Sequence, residues 1–374
     1  MSLNTLEQFE FLLEEGLVSK SETEDLVLYN YTDKCTFAKH WNQLTMSARG
    51  TIYEKATGQV VARAFDKFFN LGEQPVSEPG NLPDGQFYVS EKMDGSMGTL
   101  YFWKGEWKVA TRGSFYSEQA VRATEMLKRY DMSSWDSDYT PIVEIIYPEN
   151  KILVNYGERE ELVLIGARHI ETGVHAIRPR LISLARNIGM SVAPLYVSGV
   201  NITGKDAFEP TSWLDGLTSQ AKKLPLNNEG WVVLFMPSGL QVKIKGARYV
   251  EVARFKAHLG PLTVWEKMME GSSQAYIEAL PDELQAEATD IVDALVGQLD
   301  VISETPRNFW ANTIIPMLAE SAPRKEIALQ IQSRSQHEQG YLFAKLTDSK
   351  NPTLSLLKLL RPTGNKLIDL DKFK

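Results

Sequence analysis

The sequence Glu91-Lys92-Met93-Asp94-Gly95-Ser96 lies between two apolar runs rich in β-forming residues, Phe87-Tyr88-Val89 and Leu100-Tyr101-Phe102-Trp103. This composition predicts a strand on each side of the hexapeptide. Gly95 permits a sharp change of direction, because glycine tolerates positive φ. The lysine is therefore expected at the edge of a sheet, where a nucleophile can be presented. Taken alone, Lys-x-Asp-Gly is also compatible with a solvated turn.

Most of the chain around this hexapeptide follows a two-residue apolar period, which predicts strands. The candidates are Leu26–Tyr31, Gly50–Tyr53, Val60–Arg63, Phe87–Ser90, Thr99–Trp103, Trp107–Thr111, Ile142–Tyr147, Leu162–Arg168, Trp231–Phe235 and Leu240–Lys245. Short turns such as Lys104-Gly105 and Pro237-Ser238-Gly239 join several of them, which favours antiparallel hairpins. Helical spacing is found at Leu3–Glu15, Ser117–Arg129 and Leu181–Ile188. The predicted class is α+β with mostly antiparallel sheets and flanking helices.

After Phe255 the apolar spacing becomes helical. Predicted helices are the stretch from Leu284 to Leu299 behind Pro281, then Trp310 to Leu318, Glu326 to Gln332 and Pro352 to Leu360. Prolines and glycines, Pro306 among them, are expected to divide this part into short segments. The sequence thus predicts two domains, residues 1–255 and an all-α C-terminal domain of residues 256–374.

Composition limits the class of protein. With 43% apolar and 24% charged residues, the 374-residue chain is ordinary for a globular protein. A net charge of −8 argues against indiscriminate coating of nucleic acid but allows a local basic cleft. Cys35 is the only cysteine, so an intrachain disulfide is excluded and a reducing compartment is favoured. No signal peptide or bilayer-spanning run is visible, which predicts a cytoplasmic protein without membrane association.

Charged residues interrupt several predicted strands. Glu144 lies inside the run Ile142 to Ile146, where a carboxylate is costly unless it is compensated. The alternative is a strand with one solvent-exposed face. Lys243 and Lys245 alternate with apolar residues and share one face of their strand, where an anion between them would relieve their repulsion. The alternative there is an exposed edge protected by lysines.

The order of these charged elements resembles the covalent nucleotidyltransferase superfamily of polynucleotide ligases and capping enzymes, and within it the T4-type RNA ligase 1 family. Lys92–Ser96 resembles motif I and Glu144 motif III of that superfamily. The other matching segments are Tyr29-Asn30-Tyr31, Arg49-Gly50, Phe65 to Leu71, Arg112-Gly113-Ser114, the Leu162–Arg168 strand (motif IIIa), Glu229-Gly230 (motif IV) and Lys243-Ile244-Lys245 (motif V). The family often has lysine where Arg112 stands. No motif of the family is mapped after Phe255.

The resemblance implies an ATP-dependent RNA ligase that joins RNA 5′-phosphate and 3′-hydroxyl ends through a lysyl-AMP on Lys92 and an adenylylated RNA 5′ end, in RNA or tRNA repair. The implied cofactors are ATP and Mg²⁺ or Mn²⁺. Implied catalytic residues are Lys92 as nucleophile with Asp94, Glu144, Glu229, Lys243 and Lys245. Implied nucleotide contacts are Tyr29, Arg49, Lys67, Lys92, Arg112, Glu144, Lys243 and Lys245. Tyr29 would stack on adenine or present its backbone to it. Glu229 is the implied metal ligand.

Implied partners are RNA ends, such as those of a nicked tRNA, and an end-healing kinase or phosphatase. A phage-encoded protein would act in the host cytoplasm. The C-terminal domain is interpreted as an RNA-specificity domain with Arg307, Arg324, Lys325 and Arg334 as phosphate contacts.

Two alternatives stay open from the sequence. A DNA ligase or a capping enzyme typically continues from motif V into an OB-fold, whereas this chain turns helical. A catalytically inactive RNA-binding module would not need every charged position to be filled.

Overall fold

The structure is a computed structural model that describes residues 5–201, 212–348 and 351–373. The chain divides into two compact units, Met1–Val250 and Glu251–Lys374. The predicted boundary after residue 255 lies five residues from this division. Of the predicted N-terminal helix, residues 3 and 4 lie outside the described residues.

The described part of the first unit contains strands β1 to β14. In chain order they are Val18–Glu22, Leu26–Tyr31, Arg49–Glu54, Val60–Ala62, Phe69–Asn70, Gly85–Glu91, Ser96–Trp103, Glu106–Thr111, Tyr139–Ile146, Glu161–His169, Ser191–Val192, Leu195–Asn201, Gly230–Phe235 and Gln241–Lys245. All ten predicted strands are confirmed. β1, β5, β11 and β12 were not predicted; β1, for example, is a largely exposed edge strand of sequence VSKSE without alternation.

These strands form three sheets. The first has the order β1-β2-β3-β4, the second β11-β10-β9-β7-β8 and the third β12-β6-β13-β14-β5. Every pairing is antiparallel except β10 with β11 and β14 with β5. The predicted α+β class with mostly antiparallel sheets is therefore confirmed.

Helices α1 to α14 are, in chain order, Thr5–Glu14, Asp33–Phe37, Gln43–Ser47, Glu118–Leu127, Arg178–Ile188, Ser212–Ala221, Ala247–His258, Pro261–Glu270, Ser273–Ala279, Asp282–Phe309, Ile315–Ala319, Arg324–Gln332, Gln336–Thr347 and Pro352–Leu357. The boundary between the two units falls within α7. Over the described ranges, none of these helices is both long and apolar enough to cross a membrane.

Helices α4 and α5 pack on the second sheet. The side chain of Ser117 caps α4 by accepting a hydrogen bond from the backbone of Ala120, an interaction typically worth about 1 kcal/mol. Met126 of α4 and Leu184 of α5 are buried in one core cluster with Val143 and Leu164 of the sheet. A separate cluster joins α6 to the third sheet. Apolar packing against helices therefore supports each of these two sheets: α4 and α5 pack on the second sheet, and α6 packs on the third.

The described part of the second unit is helical, as predicted. The predicted division at Pro306 is wrong, because α10 continues through this proline to Phe309. A π-helical turn, Trp310–Ile314, follows α10 directly and leads into α11. Pro306 is buried together with Ile302 on the inner side of α10, so packing maintains a helix that the sequence alone would end.

Candidate active site

A cavity of about 600 Å³ is lined by strands of both the second and the third sheet. Its volume lies in the range of small-molecule sites. One part of the lining is charged and includes Arg49, Lys92, Glu144, Lys243 and Lys245. The lining also includes apolar residues such as Ile165, Val232 and Leu234. The structure thus brings together most of the charged residues that the sequence singled out.

Lys92 lies on the connection that passes from β6 in the third sheet to β7 in the second. Its backbone N–H donates to the carbonyl of Gly230 at 2.9 Å. A Cβ on Gly95 would stand 2.6 Å from the carbonyl oxygen of Ile145, so this position requires glycine. Lys92 directly follows the end of a strand, as predicted, but β6 lies inside the third sheet between β12 and β13 and not at its edge.

Glu229 bridges two lysines of the cavity lining, although Glu229 itself is not among the residues that line the cavity. Lys92 Nζ lies 2.7 Å from Glu229 Oε2, and Lys245 Nζ lies 2.8 Å from Oε1. The Glu229 side chain is 2% exposed, whereas those of Lys92 and Lys245 are 21% and 28% exposed. Gly230 has a φ of 128° and its Cβ would stand 2.1 Å from the carbonyl of Ile244, so only glycine fits after Glu229.

Glu144 is buried on β9, which contradicts the alternative of a solvent-exposed strand face. Its Oε1 accepts a hydrogen bond from the backbone of Gly95 at 3.1 Å. Burial raises the pKa of Glu144 to about 7; Lys92 opposes this shift and Glu229 adds to it. The carboxylate is therefore compensated only in part.

Lys243 stands in a field of positive charge. Its pKa is lowered to about 7, first by burial and then by the charges of Lys67, Arg49, Lys92 and Lys245. Lys243 Nζ and the Arg49 guanidinium each lie 5.1 Å from the centre of the Phe68 ring. The ring stabilises both cations, yet their mutual repulsion persists, so this part of the cavity is suited to an anion.

Lys67 faces a neighbouring cavity of about 480 Å³ instead of the main one. Its ammonium group lies 5.3 to 5.5 Å from the ring centres of Tyr31, Trp41 and Phe69. Arg112 lines both cavities, and its guanidinium donates to the Tyr31 hydroxyl at 3.3 Å. Lys67 therefore acts on the main cavity through its charge.

The predicted stacking of the Tyr29 side chain on adenine is wrong, whereas presentation of its backbone to adenine stays a prediction. Its side chain is 2% exposed and stacks on Phe9 with 4.3 Å between ring centres. Its hydroxyl donates to Glu10 at 3.2 Å, and burial raises its pKa. Tyr29 lines neither cavity, because this face of β2 packs against α1.

Asp94 does not line the main cavity either, contrary to its prediction as a catalytic group. It is 3% exposed and accepts hydrogen bonds from the backbones of Leu153 (2.9 Å) and Val154 (2.8 Å) and from the Tyr249 hydroxyl (2.7 Å). These bonds tie the Lys92 connection to the segment after β9 and to α7. In the structure Asp94 holds this connection in place, and a catalytic role for it stays a prediction.

The sequence reasoning missed several residues of the lining. Phe68 adjoins Lys67 in a segment that the sequence did single out, and it lines the main cavity whereas Lys67 lines the neighbouring one. His175 stacks on Phe65 with 5.4 Å between ring centres, and burial lowers its pKa to about 3. Arg178 and Gln241 also line the cavity. No sequence pattern distinguishes the last three from ordinary core or surface residues.

The chain is similar in sequence to known RNA ligases. The sequence model of the RNA ligase family matches residues 47–249, more than half of the chain. The RNA ligase of Rhodothermus phage RM378 is 25% identical over 410 aligned positions, which cover 94% of this chain and 92% of the phage protein.

A protein of Thermovibrio ammonificans, provisionally named an RNA ligase, is 34% identical over 171 residues. That alignment covers 44% of this chain and 42% of the relative. Among solved structures, an archaeal ATP-dependent RNA ligase aligns with a TM-score of 0.47 and 16% identity, covering 79% of each chain. The family match covers the whole charged part of the cavity from Arg49 to Lys245. The chain therefore belongs to the RNA ligase family.

Proposed function

We propose that this ligase activates RNA ends with ATP, and that Lys92 carries the AMP as a covalent intermediate. One observation supports this most directly: Lys92 Nζ projects into a cavity whose adjacent wall carries Arg49, Lys243 and Lys245. Phosphoryl transfer needs chiefly alignment and neutralisation of charge, which these cations supply.

In the proposed reaction, Lys92 attacks the α-phosphorus of ATP. A nitrogen–phosphorus bond forms, the bond to the departing diphosphate breaks, and the lysine loses a proton. Glu229 Oε2 lies at hydrogen-bond distance and can accept that proton. Lys243 and Lys245 bind the phosphate oxygens. The AMP then passes to an RNA 5′-phosphate, and an RNA 3′-hydroxyl displaces it to form the phosphodiester bond.

A divalent cation fits beside these residues, although the described residues contain no cluster of three or more His, Cys, Asp or Glu that could hold one alone. Magnesium keeps several waters and uses few protein ligands. Glu144 Oε2 forms no hydrogen bond with the described residues, whereas both oxygens of Glu229 contact lysines. Glu144 would therefore hold Mg²⁺ or Mn²⁺, and Glu229 would do so only after releasing a lysine. The ion would neutralise phosphate charge.

The proposed substrates are RNA strands with 5′-phosphate and 3′-hydroxyl ends, with a nicked tRNA as one form, prepared by a kinase or phosphatase. We place this reaction in the cytoplasm, in keeping with a single cysteine, Cys35, which is buried and unpaired. The phage origin of one relative is compatible with action in a host cytoplasm.

The test is a mass spectrum of the intact protein after incubation with ATP and magnesium. We expect the mass to rise by one AMP in the wild type and to stay unchanged in Lys92→Ala. Incorporation of AMP by Lys92→Ala would refute Lys92 as the nucleophile. Sealing of nicked duplex DNA in preference to single-stranded RNA would favour the DNA ligase alternative, and absence of any adenylate would favour an inactive binding module.

For the second unit we propose a role in choosing RNA, carried by Arg324 and Lys325. Both are exposed at the start of α12 and form no ion pair within the described residues, whereas Arg307 pairs with Asp300 and Arg334 with Glu338. Replacing Arg324 and Lys325 by serine should weaken sealing of a nicked RNA hairpin more than self-adenylylation. Equal activity of variant and wild type on hairpin and unstructured RNA would refute this role.

A further inference from the structure

Arg178 is the first residue of α5 and lines the main cavity, where it forms no ion pair with the described residues. Its terminal nitrogen donates to the carbonyl of Ala193 at 2.7 Å, and Leu181, which also lines the cavity, lies one helical turn further along α5. No sequence motif includes this arginine. The guanidinium of this arginine nevertheless has unusually few hydrogen-bond partners among the described residues.

The guanidinium of Arg178 is poorly compensated. Arginine carries several N–H donors, and within residues 5–201, 212–348 and 351–373 only Ala193 accepts from it. Its Nε is buried and has no partner there. Burial lowers its pKa, and no carboxylate of these ranges pairs with it. The positive end of the α5 dipole adds a further cost to a cation at this position.

An acceptor from a bound ligand would relieve this cost. If ATP occupies the cavity as proposed, its phosphates lie beside the cationic residues, and its base can pack on Ile165 and Ala193, which line the cavity and belong to one apolar cluster. A purine has an apolar face and ring nitrogens that accept hydrogen bonds at its edge. Arginine is a donor only, so it can contact a ring nitrogen but not the exocyclic amino group of adenine.

We propose that Arg178 is a nucleotide-binding residue that donates a hydrogen bond to a ring nitrogen of adenine. The bond to Ala193 fixes the guanidinium at the end of the cavity, and the remaining donors face the base. This inference rests on the proposed binding of ATP. It adds a contact with the base to a site whose other polar contacts are with phosphate.

The test is AMP binding by calorimetry with wild type, Arg178→Met and Arg178→Lys. The matched control is Arg180→Met, which lies two residues later on α5, is exposed and pairs with Asp136 outside the cavity. A hydrogen bond from a charged donor is worth roughly a tenfold or larger change in Kd. We expect that loss in Arg178→Met, a smaller loss in Arg178→Lys and none in Arg180→Met.

Analogues of AMP that lack N1, N3 or N7 identify the contact. We expect one of the three to bind wild type about tenfold more weakly than AMP, and the same analogue to bind Arg178→Met as well as AMP does. A purely structural role of Arg178 would leave the penalty of each analogue unchanged in the variant. That result, or equal Kd values for AMP in wild type and Arg178→Met, would overturn the proposal.

The outcomes separate this inference from the proposed function. Wild type that binds AMP but gains no adenylate from ATP would refute the covalent mechanism and leave the Arg178 measurements decisive. Wild type that forms the adenylate while Arg178→Met binds AMP normally would refute only the base contact. Wild type that binds no AMP would overturn the base contact outright.

Discussion

Replacing Lys243 by arginine should remove a pH dependence of nucleotide binding. In the free protein the pKa of Lys243 is lowered to about 7, first by burial and then by surrounding cations. At pH 8 about nine-tenths of this side chain is therefore neutral. A bound triphosphate favours the ammonium form, so binding should be accompanied by uptake of up to about one proton.

The size of the expected change in affinity for the triphosphate follows from the pKa of Lys243. Protonating Lys243 costs about 1.4 kcal/mol at pH 8 and about twice that at pH 9, and each step corresponds to roughly a tenfold change in affinity. The affinity falls as pH rises because a lysine with a lowered pKa is then mostly neutral and must first take up a proton. Affinity for the triphosphate should thus fall up to tenfold between pH 8 and 9. Arginine keeps its charge over this range, so Lys243→Arg should bind with little pH dependence.

Calorimetry with the α,β-methylene analogue of ATP measures affinity and proton uptake together, because the analogue cannot release diphosphate. Titrations in buffers of different ionisation enthalpy give the proton count, and the phosphates are fully ionised above pH 8. Lys108→Arg is the matched control, since Lys108 is exposed and pairs with Glu106 on β8. Equal pH slopes and equal proton uptake in wild type and Lys243→Arg would refute the lowered pKa of Lys243 as the cause.

Three further predictions concern the charged cluster and its support. Lys92→Ala should abolish self-adenylylation but still seal RNA that already carries a 5′-adenylate, and failure on both substrates with intact thermal stability would contradict a nucleophile-only role. Glu229→Ala leaves two lysines without their shared carboxylate. The free energy of unfolding should therefore fall by roughly 1–3 kcal/mol, and magnesium-dependent steps should weaken. Unchanged thermal unfolding would argue against the bridge between the lysines. Asp94→Asn should lower thermal stability by roughly 1–3 kcal/mol because the amide cannot accept all three bonds, whereas lost activity at unchanged stability would return Asp94 to a direct catalytic role.

The sequence predicted the strands of the sheet framework well because their faces differ in burial. On β14, Val242 and Ile244 are buried in the core of the third sheet while Lys243 and Lys245 face the cavity, which is the period-two pattern that the sequence shows. The same alternation distinguishes these two lysines in the amino-acid sequence. β1 lacks it because polar residues cover an edge strand on both faces.

Tyr29 lies on a strand where the two-residue alternation does not indicate which side chains face a ligand. Both faces of β2 are buried: Leu26 and Leu28 enter one core cluster, and Val27 and Tyr29 enter another. When neither face of a strand meets solvent, alternation cannot distinguish a residue that faces a ligand from one that faces a helix. The resemblance to a ligase motif placed Tyr29 at the nucleotide, and packing of its ring against Phe9 of α1 excludes stacking of that ring on adenine.

A sequence shows which groups are charged but not which partners the fold provides for them. The sequence singled out Asp94 as a catalytic group, yet two backbone amides and the Tyr249 hydroxyl already occupy its oxygens. The sequence did not single out Arg178, and the described residues offer its guanidinium a single carbonyl. Because a buried polar group without a partner costs more than a satisfied one gains, the unsatisfied residue is the better indicator of a ligand. The binding residues that sequence patterns miss should therefore be sought among the incompletely bonded groups of the cavity wall.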